Sequence, residues 1–412
     1  MKNYKVYIEI NGKMIFVGQL ESSDGNNARF IYDADYLELD FAKAISISLP
    51  LQEAPFTVQQ TRNFFEALLP EGFTRQTLAS NLRKDENDYL GLLSVVGKEC
   101  IGAILICEES YDNSSNYELI SDEEIKALAN EGATKSAKIL SQTHLSLAGA
   151  TGKVGLYLDE KTGKWFLPKG LALSTHIIKQ SHVRYSDIVI NEALCISLAK
   201  KCGIDVPDSF IIDTGGKNDA NILFATKRFD RYLENGIVHR LHQEDFGQAL
   251  SISPGNKYEL EGLNYMRQMF KAVREFCINP IEDQIKLFKM IVFNVVIGNT
   301  DAHVKNYSLV YDKELGGRSL SPAYDLLCTS YHNTTRTMSF NINGKYDVTT
   351  ITYNDLINAA GAVGVGHKIA SKAIDDVCYN FENNLKETCK ELIDQGFEKA
   401  NAIADAMPRP CL

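Results

Sequence analysis

The chain has 412 residues, of which 44 % are hydrophobic and 23 % are charged, and its formal net charge is −10. This composition is typical of soluble globular domains and excludes a chain that is disordered throughout. The acidic balance argues against direct coating of nucleic acid, which needs many lysines and arginines to neutralise phosphates. The nine cysteines include no Cys-x-x-Cys pair, so we interpret them as reduced core residues rather than a disulfide frame or a zinc site.

Two features predict a cytoplasmic protein that does not contact the membrane. The amino terminus alternates apolar and polar residues, which is typical of a strand and not of a secretory signal peptide. The most apolar segment, residues 287–298, is about half the ~20 residues that a membrane span needs. It also contains Lys289 and Asn294.

The first 110 residues predict a compact α+β module. Apolar and polar residues alternate on both sides of Asn11-Gly12, a pair that favours the type I′ turn of a β-hairpin. The polar residues 108–116 are typical of a linker. Further along the module we predict strands at 28–32, 45–49 and 101–107, and a helix that starts near Thr57.

The rest of the chain changes from β-rich to helical near Gln243. Strands are predicted at 154–158, 164–167, 175–179 and 222–226, and a helix over 190–202 that ends at Gly203. Helical periodicity then covers 263–276, 282–297, 353–360 and 367–392. We therefore predict an α+β protein with an accessory module (1–110), a β-rich nucleotide-binding lobe (111–245) and an all-helical catalytic lobe (246–412).

One loop carries the residues best suited to catalysis. Asp301 and Asn306 follow the apolar helix that ends near Ile297, and their spacing is that of a kinase catalytic loop. Asp325 lies 19 residues further on, far enough for a strand, a turn and a strand to bring a second carboxylate to a Mg²⁺ ion. Taken alone, Asp301 and Asn306 could equally be ordinary turn residues.

Upstream segments supply groups that could hold phosphates. Lys179 ends a predicted strand and Glu192 lies near the start of the next helix, as in the ion pair of protein kinases. Each also has a simpler interpretation, as a strand-end lysine and as a partner of the helix dipole. Residues 146–155 form a loop of small residues with Lys153, which resembles no complete phosphate-binding motif and could be a glycine turn.

These signals occur in the order of a two-lobed kinase: loop, Lys and Glu, Asp and Asn, then Asp. That shared order is less expected by chance than any single match. At this point the sequence resembles the HipA family of bacterial toxin kinases. The stretches that carry the resemblance are 48–51, 64–70, 146–153, 176–179, 191–192, 198–208, 228–231, 243–245, 297–306 and 324–325.

The resemblance implies a Ser/Thr protein kinase with a two-lobed, protein-kinase-like core, ATP as substrate and Mg²⁺ as cofactor. It implies that Asp301 is the catalytic base, that Asn306 and Asp325 bind Mg²⁺, and that Lys179 binds the nucleotide phosphates. It also implies autophosphorylation of Ser146. The remaining nucleotide-binding residues that it implies are Ala150, Thr151, Gly152, Lys153, Lys227, Phe229 and His303.

Two positions depart from the family pattern. Lys227 stands where the hinge often has an acidic residue, which could retune adenine binding, and Thr151-Gly152 stands where larger polar residues occur. Neither departure removes a catalytic group. The family further implies a helix-turn-helix antitoxin similar to HipB as partner, contact with DNA only through that antitoxin, and a protein substrate, with an aminoacyl-tRNA synthetase as one candidate.

Three functions remain open from the sequence. The first is a MgATP-dependent kinase toxin. The second is a nucleotide-binding co-repressor that acts by binding a DNA-binding antitoxin and has weak catalysis. The third is a kinase of a small metabolite, since a fold does not identify the acceptor.

Overall fold

The computed structural model describes residues 2–22, 26–108, 114–132, 135–136, 139, 152–181 and 185–409. Within these ranges no helix combines the length and hydrophobicity needed to cross a bilayer. Eight of the nine cysteines fall in the described part, and all eight are free, as predicted; Cys411 lies outside it.

An antiparallel four-stranded sheet forms the N-terminal module. Asn11 and Gly12 both adopt positive φ angles, which confirms the predicted hairpin turn. Thr57 caps the helix that follows, with the reciprocal hydrogen bonds of a capping box. The strands are β1 (Lys2–Ile10), β2 (Lys13–Ser22), β3 (Ala28–Tyr32) and β4 (Ile104–Cys107), in the order β3-β2-β1-β4. The helices are α1 (Ala34–Leu37), α2 (Val58–Phe65), α3 (Gly72–Leu82) and α4 (Tyr89–Val96).

The strand predicted at residues 45–49 is wrong. This segment forms turns with a single isolated bridge between Ser46 and Leu49. Its polar groups bind a distant side chain instead of a neighbouring strand: the Ser46 hydroxyl donates to Glu244 Oε2 at 2.5 Å, and the Ile47 amide donates to Glu244 Oε1 at 3.1 Å. A strand signal of five residues is too short to exclude this alternative.

A six-stranded sheet and one long helix form the β-rich lobe. The four strands and the helix predicted here are all present, and Gly203 follows the helix with φ +74°. Strands β6 and β8 are antiparallel neighbours, with Lys153 directly opposite Lys179. The elements are β5 (Ser115–Leu119), α5 (Asp122–Glu131), β6 (Lys153–Asp159), β7 (Lys164–Gly170), β8 (His176–Gln180), α6 (Ile188–Lys201), β9 (Ser209–Asp213) and β10 (Ile222–Lys227), in the strand order β5-β7-β6-β8-β10-β9. A short hairpin, β11 (Arg231–Glu234) and β12 (Ile237–Arg240), follows.

The C-terminal lobe is mostly helical, and its helices enclose the largest hydrophobic core of the described chain. The prediction that it is all-helical is wrong, because short strands lie on both sides of the loop that carries Asp301 and Asn306. Strand β13 (Gln243–Asp245) pairs with β14 (Ser308–Tyr311), which pairs with β15 (Arg318–Leu320). These strands, with β16 (Thr337–Ile342) and β17 (Lys345–Asp347), have three to six residues each, too few for a clear period. The helices are α7 (Phe246–Ala249), α8 (Tyr265–Phe276), α9 (Pro280–Ile297), α10 (Tyr353–Ala362), α11 (His367–Asp394) and α12 (Ala400–Asp405).

Candidate active site

A cleft lies where the N-terminal module, the β-rich lobe and the C-terminal lobe meet. Residues from all three line it. Asp301 lies beside the cleft, joined to it through Asn306, whose side-chain amide donates to the Asp301 carbonyl at 3.1 Å. The predicted site residues that line the cleft directly are Lys153, Lys179, Lys227, Phe229, His303, Asn306 and Asp325.

Three predicted residues that are far apart in the sequence meet at one lysine. Lys179 Nζ lies 2.6 Å from Glu192 Oε1 and also contacts Asp325 Oδ1. Burial alone would lower the pKa of Lys179, but the two carboxylates outweigh burial and hold that pKa above its ordinary value. Burial would raise the pKa of Asp325, but Lys179 and Lys153 keep it well below its usual range. At neutral pH the lysine and Asp325 are therefore charged partners.

Helix α6 fixes the backbone that follows Asp325. The side-chain amide of Asn191 donates to the Cys328 carbonyl at 3.0 Å, and its oxygen accepts from the Cys328 amide at 2.8 Å. Asp325 itself has φ +53°, an uncommon angle for a residue other than glycine, and its carbonyl accepts from Asn299 Nδ2 at 3.2 Å. Because Glu192 is on the same helix as Asn191, one rigid element sets both the Lys179 partner and the position of Asp325.

The loop that carries Asp301 begins where helix α9 ends at Gly298, which has φ +71°. Asp301 keeps its side chain exposed to solvent, and its Oδ1 accepts a hydrogen bond of 2.6 Å from the Tyr258 hydroxyl. Crowding by protein atoms raises the pKa of Asp301 above its ordinary value, and the bond from Tyr258 opposes that rise. Its second carboxylate oxygen stays available for another donor, as a general base requires.

Buried positive charge and a polar atom without a hydrogen-bond partner line the cleft. Lys153 is only 6 % exposed, and burial lowers its pKa, with the adjacent Lys179 adding to the effect and Asp325 opposing it. Burial also lowers the pKa of His303 to about 3, so its ring is neutral at physiological pH. Among the described residues, His303 Nδ1 has no hydrogen-bond partner. Buried cations and an unpartnered ring nitrogen suit a polyanionic ligand such as a nucleotide phosphate chain.

Carboxylate and amide oxygens suited to Mg²⁺ line the same cleft. Asp325 is ionised, and Asn306 offers a side-chain oxygen while its nitrogen is held by the Asp301 carbonyl. Mg²⁺ prefers such hard oxygen ligands together with phosphate oxygens. The donor set present therefore fits this ion.

The cleft also has an apolar part that suits a flat ring. Ile177 and Leu68 line it, and the rings of Phe229 and Tyr324 lie 5.7 Å apart at an angle of 32°. Lys227 lies at the hinge and forms an exposed ion pair with Glu160, in which Lys227 Nζ is 2.8 Å from Glu160 Oε1. Its charge is thus partly offset, and such exposed pairs contribute little energy.

Three of the predicted site residues lie outside the described residues: Ser146, Ala150 and Thr151. Gly152 is described: it is buried and directly precedes β6, which carries Lys153 into the cleft.

The N-terminal module contributes a carboxylate that was not among the predicted site residues. Glu71 contacts Nζ of Lys305, which follows Asp301 in the same loop, and lies 2.8 Å from Lys257 Nζ. Burial would raise the pKa of Glu71, but the two lysines lower it to about 2. The local signal that could have drawn attention to Glu71 is a charged residue between Pro70 and Gly72, directly after the apolar residues 67–69.

A buried ionic cluster joins the N-terminal module to the hinge of the kinase-like core. We call Glu99, Arg228, Asp230 and Arg231 the hinge cluster; their side chains are at most 4 % exposed. Arg228 donates to Asp230 Oδ1 at 2.8 Å and to Oδ2 at 2.7 Å, and Glu99 Oε1 accepts from Arg228 at 3.2 Å. The Gly102 amide donates to Asp230 at 2.7 Å. The hinge is thus held by charges from two parts of the chain.

Comparison with known proteins finds two family models that match this chain. The model of the HipA N-terminal domain matches residues 8–107, and that of the HipA-like C-terminal domain matches residues 145–385. The "Putative kinase Y4mE" of Sinorhizobium fredii is 30 % identical over 404 residues, which are 95 % of this chain and 94 % of that protein. The "Serine/threonine-protein kinase toxin HipA" of Shewanella oneidensis is 27 % identical over 337 residues, 78 % of this chain and 74 % of the toxin.

The fold is also that of a solved structure. HipA from Shewanella oneidensis, solved in a complex with HipB and operator DNA, matches with a TM-score of 0.80 at 22 % identity, covering 98 % of this chain and 96 % of the solved one. This match confirms the predicted α+β, kinase-like fold. Since the C-terminal family model alone spans more than half of the residues, and a relative is similar along almost the whole length, this chain belongs to the HipA family.

Proposed function

We propose that this protein is a MgATP-dependent Ser/Thr protein kinase that acts as the toxin of a HipA/HipB-like pair. The observation that carries the proposal is the contact of Lys179 with both Glu192 and Asp325, in the cleft that also holds Asn306 beside Asp301. Protein kinases need the Lys–Glu pair and the metal-binding Asp together for phosphoryl transfer.

Each group has a chemical task in this proposal. Asp301 accepts the proton of the acceptor hydroxyl through the oxygen that Tyr258 does not hold. Lys179 and Lys153 bind the phosphate chain of the nucleotide. Asp325 and Asn306 would hold Mg²⁺, which supplies charge neutralisation of the transferred phosphoryl group when bound.

We extend the proposal to partners from the chemistry of the relatives. The acceptor is a serine or threonine of a bacterial protein, with an aminoacyl-tRNA synthetase as the candidate that the family suggests. A helix-turn-helix antitoxin similar to HipB would link the chain to DNA, since a net charge of −10 opposes direct binding. Ser146 would be the autophosphorylated residue; phosphate there adds negative charge to the small-residue loop and would displace it from the nucleotide site.

Transfer of γ-labelled phosphate tests the role of Asp301. Asp301→Gln should reduce transfer from ATP to Ser146 or to a purified protein by ~10²–10⁴-fold, the usual loss on removing a general base. Asp208→Asn is the matched control, because that side chain is 77 % exposed on the surface. Undiminished transfer by Asp301→Gln would contradict the assignment of the base.

The co-repressor hypothesis predicts a different result. The solved relative in complex with HipB and operator DNA makes this the second candidate. Calorimetry with MgATP, followed by an overnight phosphorylation assay, separates the two functions. Tight nucleotide binding without any transfer would favour the co-repressor over the kinase.

A further inference from the structure

A second, open groove lies beside the nucleotide cleft. One wall comes from the N-terminal module, with Arg62 on α2 and Arg75 on α3, and the other comes from residues 253–257 of the C-terminal lobe. We call it the module groove. Gly255 forms part of the second wall, and the space where its side chain would be is open, so a polypeptide backbone can approach there.

The module groove leads to the catalytic carboxylate. Glu71 lines both the groove and the nucleotide cleft. Lys257 lines the groove. The hydroxyl of the next residue, Tyr258, donates a hydrogen bond to Asp301. A segment lying in the groove therefore ends beside the group that would accept the proton of an acceptor hydroxyl.

The charges of the groove are unlike those of the whole protein. Glu66 binds both arginines, at 2.7 Å to Arg62 Nε and 2.8 Å to Arg75 Nη2. Glu71 likewise binds two lysines, Lys257 and Lys305. Lys305 belongs to the nucleotide cleft, so the groove itself is lined by three cations (Arg62, Arg75 and Lys257) and two carboxylates (Glu66 and Glu71). The groove therefore has an excess of one positive charge, in a chain of net charge −10. Since a guanidinium has five N–H donors, both arginines keep donors for a further acceptor.

We propose that the module groove binds the segment of the protein substrate that carries the acceptor serine or threonine, and that it selects acidic residues next to that hydroxyl. This inference rests on the proposed kinase function. It gives the N-terminal module a direct part in substrate choice, because both arginines belong to that module.

Binding of synthetic peptides tests the inference without phosphoryl transfer. Two dye-labelled peptides of equal length each carry one serine, flanked by glutamates in one and by lysines in the other. Fluorescence anisotropy with the full chain and MgADP measures their Kd. We expect the glutamate peptide to bind at least tenfold more tightly, and Arg62→Gln/Arg75→Gln to weaken it about tenfold, the sum of two partly exposed ion pairs.

Matched variants distinguish the effect of the two groove arginines from a general loss of positive charge or of folding. Arg29→Gln/Arg83→Gln removes two other arginines of the same module and should leave both Kd values unchanged. Lys257→Gln, on the opposite wall, should weaken the glutamate peptide as well. The affinity for MgADP should stay the same in the arginine variants, because neither arginine lines the nucleotide cleft.

The outcomes are distinct. Equal affinity for the two peptides, or a glutamate preference that survives both arginine substitutions, would overturn the groove assignment even if the enzyme transfers phosphate. Arginine-dependent binding of a thymidine oligonucleotide in place of the glutamate peptide would assign the groove to nucleic acid instead. A glutamate preference in a protein that never transfers phosphate would support the groove and count against the kinase.

Discussion

Replacing Glu99 by alanine removes one of the two carboxylates of the hinge cluster. Arg228 and Arg231 are 0 % and 3 % exposed, and Asp230 would then be the one carboxylate of the cluster left to both. Removing one partner of a buried ion pair costs ~3–5 kcal/mol, because the buried charge that remains is compensated neither fully by other charges nor by water. We therefore expect the free energy of unfolding to fall by about this amount.

Urea unfolding followed by the fluorescence of Trp165, the single tryptophan of the chain, measures the loss. Glu160→Ala is the control, since its pair with Lys227 is 66 % and 49 % exposed and should contribute at most ~1 kcal/mol. Burial and the neighbouring Arg228 lower the pKa of Arg231 to about 10, so Arg231 is the less well compensated cation. A Glu99→Met/Arg231→Met double variant leaves a neutral Arg228–Asp230 pair and should recover stability. If Glu99→Ala costs no more than the control, the cluster does not hold the hinge.

Three further predictions concern the active site. The Tyr258 hydrogen bond stabilises the ionised form of Asp301, so Tyr258→Phe raises the pKa of that carboxyl and should move the acid limb of the kcat/KM profile to higher pH; an unmoved limb would refute the contact. Glu192→Gln removes one of the two charges that hold Lys179, so steady-state kinetics should give a KM for ATP raised about tenfold, whereas an unchanged KM would argue against phosphate binding by this lysine. Asp325→Asn should raise the Mg²⁺ concentration needed for half-maximal transfer, and an unchanged Mg²⁺ titration would exclude it as a metal ligand.

The groups that the sequence predicted are those whose signals are local. Asp301 and Asn306 lie five residues apart in one loop, and Lys179 precedes the helix that carries Glu192. Spacing within a loop, or between a strand and the next helix, is visible in the sequence because it follows from local periodicity. Their meeting with Asp325 was an expectation from the kinase pattern, and the fold brings the three parts to one cleft.

The groups that were missed depend on contacts between distant segments. Glu71 and Lys305 are 234 residues apart, and Glu99 and Arg228 are 129 apart. No periodicity relates such positions, because only the packing of one module on another brings them together. The strands of the C-terminal lobe were not predicted for a different reason. They are too short to show an alternation of apolar and polar residues, and β13 is separated from its partner β14 by the helices α7, α8 and α9.

The position of the N-terminal module has a consequence for motion. This module contacts the hinge through Glu99 and the C-terminal lobe through Glu71, and Gln248 Nε2 of that lobe donates to the Phe64 carbonyl of the module at 3.1 Å. If the β-rich lobe and the C-terminal lobe rocked about the hinge, these contacts would have to break each time the cleft opened. We therefore expect the lobes to move as one body, and nucleotide exchange to proceed by small rearrangements of the cleft wall rather than by domain closure.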